Sequence, residues 1–489
     1  MAKKTEKKWY AYLFRENIYG LGIQAVTFLA GILSTFIFPN ILGKDGFGYY
    51  SLVLGVATIG ICVADFGVQG ALLRFIPEGV KNGIARKYFI EAFKWKLLSA
   101  LGISAICFLA ADNIAGIYNL PTLAEGIRVG ALFLFFYSFS QFFETLFISL
   151  KEARNSLILS SLFNFGRVLL PVLAFFIYRQ DYVGILMGVA VACAISVLTG
   201  ATFALRNPTL AKAEDKEPNF AALKSYMIYC AIGAIVYILM QWSDTLILGL
   251  FRPISDVAIY RVAWLWANAT ILLFPFPIRI FMPAYVYENV ERSKRMFGLT
   301  LRYGFVFAFL MISGVILVST QFLNLFYKGD YNDAYPIMVV LSLLTFELML
   351  KNIAEALLAG KDVVKITTYA SAVATAAQIL LLFLLAPGFG VLGAAVAVTA
   401  PRVLVAVLET IIAARFISTR IPLSYVWKPA LCTLATIAFL LPVWQHTFSL
   451  PAAITYGVAV VAIYGLAAVV LRAVDIGEII GIVRGSIRR

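Results

Sequence analysis

Long apolar runs, each closed by a polar residue or by Gly or Pro, follow one another along almost the whole chain. A helix rises about 1.5 Å per residue, so the roughly 30 Å hydrocarbon core of a bilayer takes about 20 apolar residues. Runs of at least about 18 residues predict about fourteen spans, over 18–42, 48–75, 92–111, 127–149, 156–178, 184–205, 225–250, 257–283, 300–325, 335–359, 366–386, 390–414, 428–445 and 452–471. The longest soluble connection is the sixth, 206–224, where Ala211-Lys-Ala-Glu-Asp-Lys-Glu-Pro218 reads as a solvated linker. Short phrases recur about 206 residues apart on its two sides: Ile41-Leu-Gly43 with Ile247-Leu-Gly249, and Gly184-Ile-Leu with Gly390-Val-Leu. Tyr118 and Tyr327, and Lys151 and Lys361, follow the same register with a few residues of slippage.

The expected architecture is therefore an all-α polytopic membrane protein of two pseudo-symmetric six-helix lobes. An N-lobe covers 1–205, a cytoplasmic linker 206–224 and a C-lobe 225–416, the lobes being parallel because six is even. Two further helices fill 417–472, and a tail over 473–489 carries Ile476, Ile479, Ile480, Val483 and Ile487 at helical spacing, the pattern of an interfacial anchor. Lys3, Lys4, Lys7, Lys8 and Arg15 resemble the charged region of a signal peptide, but the run that follows is long enough to span and no A-x-A site closes it. It is expected to stay as the first helix.

Composition sharpens this picture: 62% of residues are hydrophobic and 13% charged, too apolar for a surface that faces water. The net charge of +14 does not point to nucleic acid, because Lys and Arg sit between the apolar runs, where they fix orientation. With the N-terminus inside, cytoplasmic segments hold about 31 basic residues and outer ones about six: Lys44, Arg128, Arg179, Arg252, Arg261 and Lys328. An even number of spans returns the C-terminus, with Arg472, Arg484, Arg488 and Arg489, to the cytoplasm. Multi-pass insertion in the cytoplasmic membrane, as a monomer, is the expectation. Cys62, Cys107, Cys193, Cys230 and Cys432 fall inside apolar runs with neither disulfide nor metal spacing and read as packing.

Ionisable groups inside spans cost a few kcal/mol each on insertion scales and mark pairs or wet cavities. They are Asp65, Glu144, Arg167, Asp244, Arg279, Glu347, Lys351, Glu355, Arg402 and Glu409, with Arg74, Lys351 and Glu409 closer to interfaces. Asp244 lies among Gln241, Trp242 and Ser243, and two readings stand for it: a cation or proton site, or half of a structural ion pair. Arg279 ends Phe274-Pro-Phe-Pro-Ile-Arg279, where two prolines break the helix, and Arg402 directly follows Pro401. Several cations in lipid suit an anionic ligand with a long apolar part, since a guanidinium stays charged when buried and binds phosphate bidentately.

Enzyme signatures are nearly missing. One histidine, His446, reads as interfacial, no D-x-D is present, and no metal site or bound cofactor is expected. Gly388-Phe-Gly-Val-Leu-Gly393 fits a dinucleotide fingerprint but joins two membrane helices, so it reads as a turn. Every outer connection is under about 18 residues, which disfavours a membrane-embedded glycosyltransferase or polymerase.

The stretch from Asn17 to Gly79 resembles the polysaccharide transporter branch of the multidrug/oligosaccharidyl-lipid/polysaccharide exporter superfamily, which includes O-antigen flippases. The resemblance rests on Leu42-Gly-Lys-Asp-Gly-Phe-Gly-Tyr-Tyr-Ser-Leu52, Asp65-Phe-Gly-Val-Gln-Gly-Ala-Leu-Leu-Arg-Phe75 and, later, Asp244-Thr-Leu-Ile-Leu-Gly249 with Ala258-Ile-Tyr260. It implies two six-helix lobes around a partly cationic cavity, alternating access, a lipid-linked oligosaccharide as cargo, and other polysaccharide-assembly membrane proteins as neighbours. Peptidoglycan-precursor flippases are relatives of that branch, but the arginine-rich first helix associated with them is missing, since Gly20 to Phe38 holds no charge. Drug-extruding cousins have twelve helices rather than fourteen.

The cargo-binding candidates are Arg279, Arg167, Arg402, Arg74 and Trp242, with Trp264, Trp266 and Tyr237 as stacking faces for sugars. Asp244, Asp65, Glu144 and Glu355 are candidates for coupling to a proton or sodium gradient, or for charge pairs. A polyprenyl-linked oligosaccharide flippase is the leading reading. A small-molecule antiporter of the same fold and a lipid II flippase stand beside it, and a passive channel would not need duplicated lobes.

Overall fold

The computed structural model describes residues 2–211, 214, 217–272, 285, 289–361, 363–446, 449–475 and 477. Arg279 with its two prolines lies outside the described residues, as do Ile476 and 478–489 of the expected tail.

Lipid offers no hydrogen bonds to a backbone, so each spanning segment satisfies its own peptide groups as a helix. Among the described residues α1 covers Ala2–Asp65, α2 Val68–Asn82, α3 Ala85–Leu109, α4 Ala111–Ile117, α5 Leu123–Ser149, α6 Ala153–Ile177 and α7 Tyr182–Leu205. A single turn, α8 (Pro208–Ala211), precedes α9 (Phe220–Phe251) and α10 (Ile254–Leu272). Then come α11 (Val290–Tyr327), α12 (Ala334–Ser342), α13 (Leu344–Gly360), α14 (Val364–Phe416), α15 (Ser424–Leu440) and α16 (Leu450–Val470).

Eleven helical stretches are long and apolar enough to cross a membrane, against about fourteen spans expected. The difference has a structural origin. Gly22–Asn82 and Lys365–Phe416 each contain two expected spans, and the expected eighth span, 257–283, is described only as far as Leu272.

A straight α1 would overshoot the bilayer more than twofold at about 1.5 Å per residue. It does not run straight. Gly43 sits at φ 65°, ψ −175°, a conformation open essentially to glycine alone. Before it, Gly22 meets Leu157, Thr27 meets Asn164 and Gly31 meets Arg167, so this arm runs alongside α6 in the same direction. After it, Val53 packs on Gly126 and Gly130, and Gly60 on Leu134, so the second arm runs alongside α5. Because α5 and α6 are joined by three residues and are antiparallel, the two arms of α1 are antiparallel as well. Gly390 (φ 59°, ψ −139°) does the same in α14, where Gly393 returns to within contact of the Leu385 carbonyl. The glycine-rich segment 388–393 is thus a helical hairpin.

Two compact units emerge, Met1–Ala258 and Ile259–Arg489. In the first, most of α5 is buried, its Phe133, Phe139, Phe142, Phe143 and Phe147 packing with Phe75, Tyr88 and Phe163. On α6, Leu169, Leu173, Phe176 and Ile177 stay exposed, as a lipid-facing surface demands. The connection after α7 is docked rather than loose: Glu214 N donates to Gly83 O (2.9 Å), Arg86 Nη1 to Ala211 O (2.9 Å) and Asn207 Nδ2 to Glu152 Oε1 (2.7 Å). At one rim Arg128 pairs with Asp112 (2.6 Å), Arg252 with Asp256 (2.8 Å) and Arg179 with Glu125 and Asp181, exposed contacts worth about 0–1 kcal/mol each.

In the second unit α15 and α16 pack against α11 with polar glue between apolar faces. Ser313 Oγ donates to Thr433 Oγ1 (3.0 Å), and the Tyr464 hydroxyl donates to Val306 O (2.8 Å). The cores around them are Leu317, Leu440, Tyr456 and Val460, and Cys432, Tyr464 and Ala468.

Candidate functional site

The expected second span is interrupted where its charge lies. Asp65 ends α1, Phe66 and Gly67 adopt positive φ, and α2 starts at Val68. One carboxylate oxygen of Asp65, Oδ1, accepts from Lys96 Nζ at 2.9 Å, and Oδ2 accepts from Gln69 N at 3.4 Å. Lys96 is 0% exposed. A buried charge of this kind is tolerable only with a close opposite partner. Lys96 was not among the candidates from sequence, yet a signal for it exists. On α3 the buried positions Tyr88, Ala92, Lys96, Ala100 and Ser104 follow one another every four residues, a stripe of mostly small side chains that admits a close neighbour. Ser99 Oγ donates to Ala64 O (2.6 Å) beside the pair.

Arg167 and Glu144 fall in one polar track where the first arm of α1 meets α5 and α6. Arg167 Nη2 donates to Thr27 O (3.3 Å), and the guanidinium carbon lies 5.5 Å from the Phe163 ring centre. No carboxylate lies within ion-pair distance of Arg167 among the described residues, and its buried Nε has no hydrogen-bond partner there. One turn away, Asn164 Nδ2 donates to Ser160 O (2.8 Å) and Thr27 Oγ1 (3.2 Å), while its buried Oδ1 accepts nothing among the described residues. Glu144 has the Ser160 hydroxyl beside it, and Gln141 Nε2 donates to the Tyr137 hydroxyl at 2.6 Å. Buried polar atoms are nearly always paired, so an unused donor and an unused acceptor one turn apart stand out. Asn164 carries no formal charge, which is why a search for ionisable groups passes over it.

Asp244 is 0% exposed on α9, and its Oδ1 accepts from Thr245 N (2.6 Å) and Thr245 Oγ1 (3.1 Å). Trp242 is half-buried, its ring 3.2 Å from where a Cβ on Gly55 would sit. Gln241 Nε2 donates to the Tyr237 hydroxyl (3.2 Å) on the exposed side of α9. Arg74 is exposed on α2, with its guanidinium carbon 4.6 Å from the Tyr226 ring centre and 5.3 Å from that of Phe75. Cation–π contact with two rings accounts for its position.

In the second unit Arg402 is 5% exposed, and its Nε donates to Gln378 Oε1 at 2.7 Å. The bond ties the two arms of the α14 hairpin together. Each residue is twelve positions from Gly390, or about 18 Å along a helix, near the middle of a hydrocarbon core. Glu409, further along the second arm, is 2% exposed, and its Oε1 is buried with no hydrogen-bond partner among the described residues. Lys351, Glu355 and Glu347 act on it from α13, where they recur every four residues on one face. Trp266 Nε1 donates to the Tyr327 hydroxyl (3.1 Å), and Trp264 lies under the Arg261 guanidinium (4.5 Å). No group of three or more metal-ligating side chains occurs among the described residues.

Comparison with known proteins fits this arrangement. A curated protein of Haloferax volcanii described as a probable low-salt glycan biosynthesis flippase, Agl15, is 21% identical over 449 residues, covering 87% of this chain and 86% of its own. The lipid II flippase MurJ in an inward closed conformation superposes with a TM-score of 0.71 at 12% identity, covering 94% of this chain and 99% of MurJ. An inward-facing multidrug resistance MATE transporter of the MOP superfamily gives 0.67 at 15% identity, covering 79% and 94%. The fold is therefore that of MurJ and the MATE transporters. The family described as "Polysaccharide biosynthesis protein" matches residues 13–281, more than half of the sequence. These residues include the Gly43 hairpin, the Asp65–Lys96 pair, the Arg167 track and Asp244, and by that match the chain belongs to the polysaccharide biosynthesis protein family.

Proposed function

We propose that the chain is a flippase that carries a polyprenyl-(di)phosphate-linked oligosaccharide from the cytoplasmic to the outer leaflet, supplying cell-surface polysaccharide synthesis. The family, the Agl15 relative and the MurJ-like fold support this reading. The observation that carries it is the polar track of the first unit. Among the described residues Arg167 brings a cation without a carboxylate partner and an unused N–H, and Asn164 brings an unused carbonyl. A ligand bearing phosphate and hydroxyl oxygens meets all three demands, because a hydroxyl both accepts and donates and a phosphate compensates the charge. Arg279 and Arg402 complete the cationic set, with Trp242 and Tyr237 as stacking faces for sugar rings. The prenyl chain stays in lipid while alternating access moves the head group. The protein acts as a monomer in the cytoplasmic membrane, beside other polysaccharide-assembly proteins, with both termini in the cytoplasm. Arg279→Ala is expected to stop the appearance of lipid-linked sugar in the outer leaflet of reconstituted vesicles, and Arg279→Lys to keep part of it. Wild-type flipping by the alanine variant would remove Arg279 from the site.

Glu409 favours a second, compatible element, coupling to a proton or sodium gradient. A buried carboxylate with an unused oxygen, two further acids and one lysine around it binds or releases a cation more readily than a closed ion pair. Asp244, Glu144 and Glu355 are the other acids to which coupling is assigned, whereas Asp65 is held by Lys96. Glu409→Gln is expected to make flipping indifferent to an imposed pH or sodium gradient while leaving the gradient-free rate in place. An unchanged gradient response assigns Glu409 to packing.

A further inference from the structure

One strongly basic surface has no part in the proposed transport path. Where α14 ends and α15 begins, the turn 417–423 closes over the first turns of α11 and leaves a cavity of about 260 Å³ in the second unit. Lys294, Arg295 and Arg420 line it, together with Thr419 and Tyr425. Lys294 is paired with Glu291 at 2.8 Å. Arg295 and Arg420 are exposed and have no acid or hydrogen-bond acceptor on them among the described residues. A second cavity of about 180 Å³ shares Tyr425; two of its three cations are in use, Arg302 Nε donating to Ala473 O (2.9 Å) and Lys428 Nζ to Arg472 O (3.4 Å), which closes the carbonyl end of α16, and the third is Arg472. The larger cavity is the one that brings two arginines together with no acceptor on either among the described residues.

Apolar surface adjoins these cations. Leu423 and Trp427, on the same turn and the first turn of α15, are 76% and 46% exposed. A soluble anion has no use for that surface, whereas a lipid lays its acyl chains along it and its phosphate against the arginines. The cavity far exceeds the roughly 10–15 Å³ that one water needs, and its two hydroxyls suit a small polar headgroup. Basic pockets at the membrane ends of helices hold anionic headgroups by these forces.

We propose that this cavity is a binding site for the headgroup of an anionic phospholipid. The phosphate sits between Arg295 and Arg420, the Thr419 and Tyr425 hydroxyls meet the glycerol headgroup, and the acyl chains cover Leu423 and Trp427. The site anchors the α14–α15 turn to the leaflet at that end of the helices.

The test is native mass spectrometry of the purified full-length protein, with phosphatidylglycerol titrated into the micelles. Wild type is expected to retain one phosphatidylglycerol saturably and no phosphatidylcholine. Arg295→Gln/Arg420→Gln is expected to bind it roughly 30-fold more weakly, the effect of two arginines at a charged interface. Arg295→Lys/Arg420→Lys should retain most of the binding, and thermal midpoints of all variants should match, which excludes misfolding as the cause. Wild-type retention by the double Gln variant overturns the proposal, and so does an equal loss on Lys81→Gln, an exposed base elsewhere. Displacement by inorganic phosphate would make it an anion site only. Displacement by stoichiometric geranyl diphosphate, with phosphate inert, would assign the cavity to a prenyl diphosphate instead.

Discussion

Lys96→Ala is expected to destabilise the protein by about 3–5 kcal/mol, the cost of leaving one member of a buried ion pair without its partner. Asp65 then keeps its place at the junction of α1 and α2 with, among the described residues, only the 3.4 Å backbone donor of Gln69 to offset its charge. Its alternatives are to take up a proton or to pull water between α1 and α3. Either change loosens the packing of Ala92, Ala100 and Ser104, which are small because α3 comes so close. Asp65→Leu/Lys96→Met removes both charges at similar volume and is expected to regain most of the lost stability, since apolar replacement of a whole buried pair is often neutral or better. Flipping should return with it, because Asp65 and Lys96 already satisfy one another at 2.9 Å. Thermal unfolding of the two variants, followed by a flipping assay on the double variant, checks both statements. An alanine variant as stable as wild type would show that the pair carries little of the structure. A stable but inactive double variant would move Asp65 into the coupling machinery.

The same pair of substitutions at Arg402 is expected to give the opposite result. Arg402→Met/Gln378→Leu removes the bond across the α14 hairpin and the demands of both partners together, so folding should survive. Flipping should not. A phosphate that loses a charge-assisted bond in a dry site forfeits about 2–5 kcal/mol, which corresponds to roughly 30-fold to a few thousand-fold in rate at 1.4 kcal/mol per decade. Arg402→Lys should recover part of that, because a lysine keeps the charge but not the flat fork. Measured in vesicles, wild-type flipping by the Met/Leu variant would make Arg402 a clamp between two helix arms and nothing more. The contrast between the Lys96 and Arg402 experiments separates a charge that holds helices together from one that meets cargo.

What the sequence by itself determined is the part governed by the solvent. Apolar runs of spanning length, a 206-residue echo and short basic connections follow from the cost of exposing peptide groups and charges to lipid, and that cost is local to each segment. All-helical spans and the presence of buried charges were therefore legible, whereas the family was legible only through the resemblance carried by 42–52 and 65–75. The glycine-rich segment 388–393 was legible as a turn because glycine opens a backbone region closed to other residues.

Only the tertiary structure decided which charges neutralise one another. Asp65 and Lys96 are 31 residues apart, and nothing along the chain states that α3 delivers a lysine to the end of α1. Asn164 became visible only when the surrounding helices left its carbonyl unpaired among the described residues, and Gln378 only when a hairpin carried it to Arg402. Arg74 carries the same charge as Arg402 but lies exposed on two aromatic rings, while Arg402 lies buried near mid-membrane. Residue type fixes the cost of burying a charge, whereas the partner that offsets it comes from helices that meet in space.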